Sequence, residues 1–178
     1  MKSELIENRL IIWNLSDSKK LFSNGYYGKP IGISKPTPDD IHDPLIMDLK
    51  ERYYMMIKSK IQIFKNKKKI TPNAMLKICK THHHNFDKKF QVYKDFREKW
   101  YIVNPGIKFG CDFAVYQKGP GIDHAPFLVQ VYNRNENISS TDVVLAGRLA
   151  TSVKKQFVLA IPYNNDRIDY IALDWWKA

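Results

Sequence analysis

Apolar residues recur along this chain at two spacings, and the order in which the spacings alternate predicts its elements. LIIWNL (10–15) reads as a short strand and NGYYGKP (24–30) as a turn-rich connection. Asp43-Pro44 offers an N-cap followed by proline at the first helical position, and Leu45, Ile46, Leu49, Tyr53, Met56 and Ile57 follow at helical spacing. KIQIFK (60–65) reads as a strand, NKKK as its polar turn, and Thr71-Pro72 as the start of another helix. Residues 1–85 are therefore expected to form a small α+β domain.

THHHNFDKK (81–89) is expected to link this domain to the next. Phe86, Phe90, Tyr93, Arg97 and Trp100 predict a helix over about 86–99. Strand patterns then dominate. YIV (101–103) is followed by the turn Asn104-Pro105-Gly106. Along IKFGCDFAVY, Phe109, Cys111, Phe113 and Val115 are expected on one face, with Asp112, Ala114 and Tyr116 on the other. FLVQVY (127–132) and FVLAIPY (157–163) read as buried strands, and IDYIALDWW (168–176) as a last strand. Between the two buried strands, the Ser/Thr/Asp run 139–142 predicts a helix reaching about Lys155, with Val143, Ala146, Ala150 and Val153 as its apolar stripe. The fold class expected is α+β, with a second domain over 86–178 built on a central mixed sheet flanked by helices.

Composition adds a partner class. The chain carries a net charge of +11, and residues 1–100 hold 21 of the 29 basic and 11 of the 18 acidic side chains, a net of +10. Such an excess suits a polyanion, although a solvated lysine-rich surface has the same composition. Residues 101–178 carry about +1, so chemistry there must rest on a few placed cations. No apolar run approaches the ~20 residues that cross a bilayer, and the start, MKSELIENRLIIWNL, has no signal-peptide pattern. A cytoplasmic location is expected. Cys79 and Cys111 lack metal-like spacing and read as buried thiols. His82, His83 and His84 are consecutive, so they point in different directions and converge poorly on one ion; a linker is the preferred reading.

VYQKGPGIDHAPFLVQVY (115–132) holds the chemistry-bearing residues that remain. Tyr116 ends one strand, and His124 precedes the next on a loop stiffened by Gly119-Pro120-Gly121 and Pro126. Arg148 and Lys155 lie seven residues apart on the expected helix, on one face of it. Each residue alone has a plain structural reading. Together a phenol, an imidazole and an ammonium provide two proton carriers and a fixed positive charge. Cleavage of RNA by its own 2′-hydroxyl needs a base, an acid and a cation near the phosphorane. Tyrosine is a poor base at its ordinary pKa of about 10, and a nearby ammonium favours the phenolate. Histidine suits the acid role near neutrality.

These residues lie within longer matching stretches: GYYGKPIGISKP (25–36), YKDFREKWYIVNPGIKFGCDFAVY (93–116), GPGIDHAPFLV (119–129), SSTDVVLAGRLATSVKK (139–155) and YIALDWWK (170–177). Through them the chain resembles the catalytic subunit of the archaeal tRNA-splicing (tRNA-intron) endonucleases. The resemblance implies Tyr116 as base, His124 as acid and Lys155 as stabiliser of the transition state. It implies cleavage of precursor tRNA at bulge-helix-bulge junctions, giving 2′,3′-cyclic phosphate and 5′-hydroxyl ends with no metal and no cofactor. It also implies that Arg148 and Trp175 grip a flipped-out base. Trp100 stands where the family usually has glycine. The loop 163–169, acidic in many members, has only Asp166 and Asp169 here, beside Arg167. With the strong matches at 25–36 and 119–129, this favours a tetramer of two catalytic and two non-catalytic paralogous subunits over a homotetramer.

Two rival readings are open from residues alone. One is a non-catalytic RNA-binding subunit of the same assembly, a type that lacks the reactive trio. The other is a metal-dependent nuclease, in which Asp112 and the strand 127–132 would mimic an Asp…Glu-x-Lys magnesium site; Gln130-Val131-Tyr132 lacks the second carboxylate and the lysine.

Overall fold

The structure, a computed structural model, describes residues 1–7, 9–33, 36–122 and 124–173. The chain divides into two compact units, Met1–Phe86 and Asp87–Ala178. Among the described residues it is an α+β protein with two mixed sheets. None of the described helices is long and apolar enough to cross a membrane.

The first unit runs β1 (Lys2–Ile6), β2 (Arg9–Ile12), α1 (Leu15–Ser23), β3 (Lys29–Pro30), β4 (Leu45–Met47), α2 (Leu49–Ile57), β5 (Gln62–Lys65), β6 (Lys68–Lys69) and α3 (Pro72–His82). Its sheet has the order β3-β4-β2-β1-β5-β6, with β1 parallel to β5 and the other pairs antiparallel. Leu10, Ile12, Leu45, Met47, Ile63 and Met75 are fully buried and form its core.

The helix expected from Asp43-Pro44 begins later. Leu45–Met47 pair with β2 as a strand, and α2 starts only after Asp48. There the Asp48 carboxylate accepts the Glu51 N–H at 2.7 Å, and Glu51 accepts the Asp48 N–H at 3.1 Å. That reciprocal capping box satisfies two helix-end donors at once, which the Asp43-Pro44 pair does not. The predicted α3 is present, its Thr71 hydroxyl accepting from Ala74 N–H at 3.3 Å. The three histidines separate in role. His82 closes α3, while the His83 ring lies 3.2 Å from Lys50 Nζ and packs edge-on to Phe86.

The second unit runs α4 (Phe86–Glu98), β7 (Ile102–Pro105), β8 (Phe113–Tyr116), β9 (Phe127–Val131), α5 (Ser140–Ser152), β10 (Gln156–Pro162) and β11 (Ile168–Leu173). Its sheet order is β11-β10-β9-β8-β7. Only β9 and β10 are parallel, and that pair needs a crossover, which α5 supplies. Tyr93 of α4 packs against Phe113 on one face of the sheet. Ala114, Leu128, Phe157 and Leu159 form the opposite face with Ala146 and Leu149 of α5 and with Val153 just after it.

Four expectations in this unit are corrected. Trp100 is not part of the α4 stripe: it follows the helix end at φ +69° and is 90% exposed. The turn expected at 104–106 falls at 106–112, because Asn104 and Pro105 still pair with β8. Gly106 has no room for a side chain there, since a Cβ would lie 2.5 Å from Cys111 Sγ. The turn moves Phe109 and Cys111 onto the α5 side, with Ala114 rather than Phe113. Finally, α5 ends at Ser152. Lys154 takes φ +52°, and Lys155 leads into β10 instead of sharing a helix face with Arg148.

Candidate active site

Strand register brings two of the three candidate residues to one end of the central strands of the second sheet. Val115 of β8 is opposite Phe127 of β9, which is opposite Gln156 of β10. One step beyond that row lie Tyr116, Pro126 and Lys155. The Gln156 N–H donates to Pro126 O at 2.9 Å and carries the β9–β10 pairing to this end. Strands pair about 4.8 Å apart, so the backbones at 116 and 155 lie about 10 Å from each other across this row. Two long side chains can meet over such a gap.

The loop between β8 and β9 delivers the third residue. Ile122 N–H donates to Gly119 O at 3.1 Å, closing a turn with Pro120 and Gly121 at its centre. Gly121 has φ +90° and Gly119 φ +133°, conformations that L side chains rarely adopt; proline then glycine is the type II pattern. The chain returns through His124, which is exposed, to the buried Ala125. Lys155 Nζ donates to Ala125 O at 2.6 Å and sits 5.7 Å from the centre of the Phe109 ring.

Tyr116 is half-buried against the apolar cluster of Cys111, Ala114, Ala125 and Leu128. Phe109 packs on the same cluster, so a shared apolar floor supports both Tyr116 and Lys155. A phenol held at a strand end, an ammonium fixed on the same apolar floor two strands away and an exposed imidazole on a stiff loop are the residue types that 2′-hydroxyl attack on a phosphodiester needs. Sequence reasoning missed the Ala125 carbonyl and Phe109. The first has no side-chain signature, and the second was assigned to the wrong face.

Arg148 is exposed on α5. Trp175 and Trp176 lie outside the described residues. Asp112, the carboxylate on which a magnesium site would depend, pairs through Oδ1 with Lys89 Nζ, and its Oδ2 accepts the Val131 N–H at 2.9 Å. A group so engaged ties the residue before β8 to α4 and β9.

A family model described as tRNA intron endonuclease, catalytic C-terminal domain, matches residues 86–170, and one described as tRNA intron endonuclease, N-terminal domain, matches residues 1–76. The chain belongs to the tRNA intron endonuclease family. It is 41% identical to a tRNA-splicing endonuclease of Sulfurisphaera tokodaii, 38% to one of Saccharolobus solfataricus and 34% to one of Hyperthermus butylicus, each over 99% of both chains. The match to the catalytic-domain model of the tRNA intron endonucleases opens at Phe86, the first residue of α4, and spans Tyr116, His124 and Lys155.

Proposed function

We propose that this chain is the catalytic subunit of a tRNA-splicing endonuclease and cuts precursor tRNA at the bulge-helix-bulge junctions of exon and intron. Tyr116 takes the proton of the 2′-hydroxyl next to the scissile phosphate. The 2′-oxygen bonds to phosphorus and the bond to the 5′-oxygen breaks. His124 gives a proton to that leaving oxygen, and Lys155 faces the extra negative charge of the phosphorane. One proton is taken and one returned, and the products are a 2′,3′-cyclic phosphate and a 5′-hydroxyl. The chain's own residues supply every part of this step.

The observation that carries the reading is the three-strand row Tyr116–Pro126–Lys155, with Lys155 tied to the residue after His124. Arg148 and Trp175 are proposed to stack on a displaced bulge base, an arrangement worth roughly 1–3 kcal/mol per base. The proposed assembly is two copies of this chain with two of a non-catalytic paralogue.

Single-turnover cleavage of a bulge-helix-bulge RNA tests the reading, with the chain alone and with a candidate paralogue, in excess chelator. His124→Ala is expected to slow cleavage by about two to four decades with RNA affinity retained. Wild-type rates from His124→Ala would refute it. Trp175→Ala with unchanged RNA affinity would remove the stacking role.

A further inference from the structure

Residues 52–86 contain nine lysines and arginines and no aspartate or glutamate. Six of these cations, Lys65, Lys67, Lys68, Lys69, Lys77 and Lys80, are exposed on the β5–β6 hairpin and α3. A groove lies between the two elements, lined by Lys65, Lys68, Lys69 and Asn66 over Ile70 and Ala74. We propose that this face of the first unit is a second RNA-docking surface, holding the phosphodiester backbone of the precursor tRNA by charge, on residues separate from the catalytic ones. The identity of the RNA rests on the function proposed above; the surface itself rests on the hairpin.

The hairpin carries its lysines against local preference. Asn66 and Lys67 form its two-residue turn, both left-handed at φ +50° and +64°. Turns of this kind strongly prefer glycine at the second position, and here a lysine occupies it. Lys65 pairs directly opposite Lys68, and like charges in that arrangement destabilise a ladder. An edge strand such as β6 needs a charge to resist edge-to-edge pairing, but one lysine suffices for that. A bound polyanion would offset the repulsion, and the left-handed Lys67 adds one more cation to the same hairpin. The chemistry of the cations selects the polyanion. They are ammonium point charges with no arginine fork, which suits backbone phosphates rather than base edges. Phe64, the lone aromatic ring of the hairpin, is half-buried. A membrane surface would instead call for exposed apolar side chains beside the lysines.

The test compares the full chain, with its partner subunit if cleavage requires one, against a Lys65→Gln/Lys68→Gln/Lys69→Gln variant. Affinity for a bulge-helix-bulge precursor tRNA is measured by anisotropy from about 50 to about 200 mM salt. Each lost phosphate contact lowers the slope of log affinity on log salt by about 0.7–0.9, so a decrease of about 2–3 is expected. Cleavage at saturating RNA is expected to stay at the wild-type rate. Unchanged affinity and slope would overturn the surface. So would a loss confined to phosphatidylserine vesicles with RNA binding intact. If wild-type protein binds the RNA through these lysines yet does not cut it, the catalytic reading fails and the surface stands. Lys67→Gly supplies an independent check: melting temperature is expected to rise and RNA affinity to fall, and a rise without the fall would count against the surface.

Discussion

Lys155 Nζ donates to the main-chain oxygen of Ala125 at 2.6 Å, so one ammonium fixes the residue that follows His124. An ammonium has three donors, and one bond to a carbonyl leaves it charged towards anything else that approaches. The bond spans 30 positions of sequence and joins the entry of β10 to the entry of β9. In the proposed mechanism the same side chain faces the phosphorane and holds the loop of the acid, which couples two roles that separate residues could have shared.

That coupling makes Lys155 intolerant of its nearest substitute. Lys155→Ala is expected to slow single-turnover cleavage by about two to three decades, the usual cost of removing a donor from a developing oxyanion. Lys155→Arg keeps the charge, but a planar fork does not reproduce a compact ammonium over Phe109 at 5.7 Å. Its rate is expected to fall clearly below wild type, with RNA affinity nearly unchanged. A Lys155→Arg enzyme at full speed would show that charge alone suffices.

Much of the second unit was legible because its buried strands are short apolar runs bounded by turn residues. Phe127–Val131 and Gln156–Pro162 fell where expected to within a residue. The end of α5 was not legible. Helical spacing continues through Val153, and the chain leaves the helix through Lys154 at φ +52° without the glycine that normally announces such a stop. In the first unit, Leu45-Ile46-Met47 is apolar throughout and fits a helix or a buried strand equally. Pairing with β2 decided it, a contact that local sequence does not record. Asp48 and Glu51 did carry a readable capping-box spacing. Tyr116 is legible as the end of a strand and His124 as a residue of a stiff loop. The row that sets Tyr116, Pro126 and Lys155 side by side depends on strand order, which single-sequence patterns leave open.

Asp112 tests whether the second unit needs a carboxylate for structure or for chemistry. Its Oδ2 satisfies the Val131 N–H and its Oδ1 pairs with Lys89, both in largely buried surroundings. Asp112→Ala leaves that donor without its acceptor and is expected to cost about 1–3 kcal/mol in chemical denaturation. In the protein that stays folded, cleavage at saturating RNA is expected to persist in excess chelator. Loss of cleavage with full stability would assign Asp112 to the reaction instead.

The two thiols provide a pH prediction. Burial raises both Cys79 and Cys111 to about 11 from an ordinary value of 9.0, and the charge of Asp112 adds to the effect at Cys111. Between pH 9 and 11 an unfolded chain releases protons that the folded chain retains, so these groups make stability fall as pH rises through that window. Below pH 9 they contribute no slope. Cys79→Ala, compared with wild type, is expected to flatten the decline of the urea midpoint across the window. Thiol titration with an aromatic disulfide at pH 8 is expected to be slow in native protein and complete in denaturant. Fast native labelling at either position would contradict the burial of these groups.

Trp100 occupies a left-handed position at φ +69° with its side chain 90% exposed. An L residue there costs roughly 1–2 kcal/mol that glycine avoids, while glycine loses roughly 0.5–1 kcal/mol through its looser unfolded chain. Trp100→Gly is therefore expected to raise stability modestly, by about 0.5–1 kcal/mol. The indole covers no core in this chain, so removing it forfeits little packing. The variant's melting temperature gives the structural answer. If stability rises while cleavage by the assembled enzyme falls, the ring serves a contact with RNA or with another subunit. If stability drops, the left-handed turn after α4 is held by something other than local backbone preference.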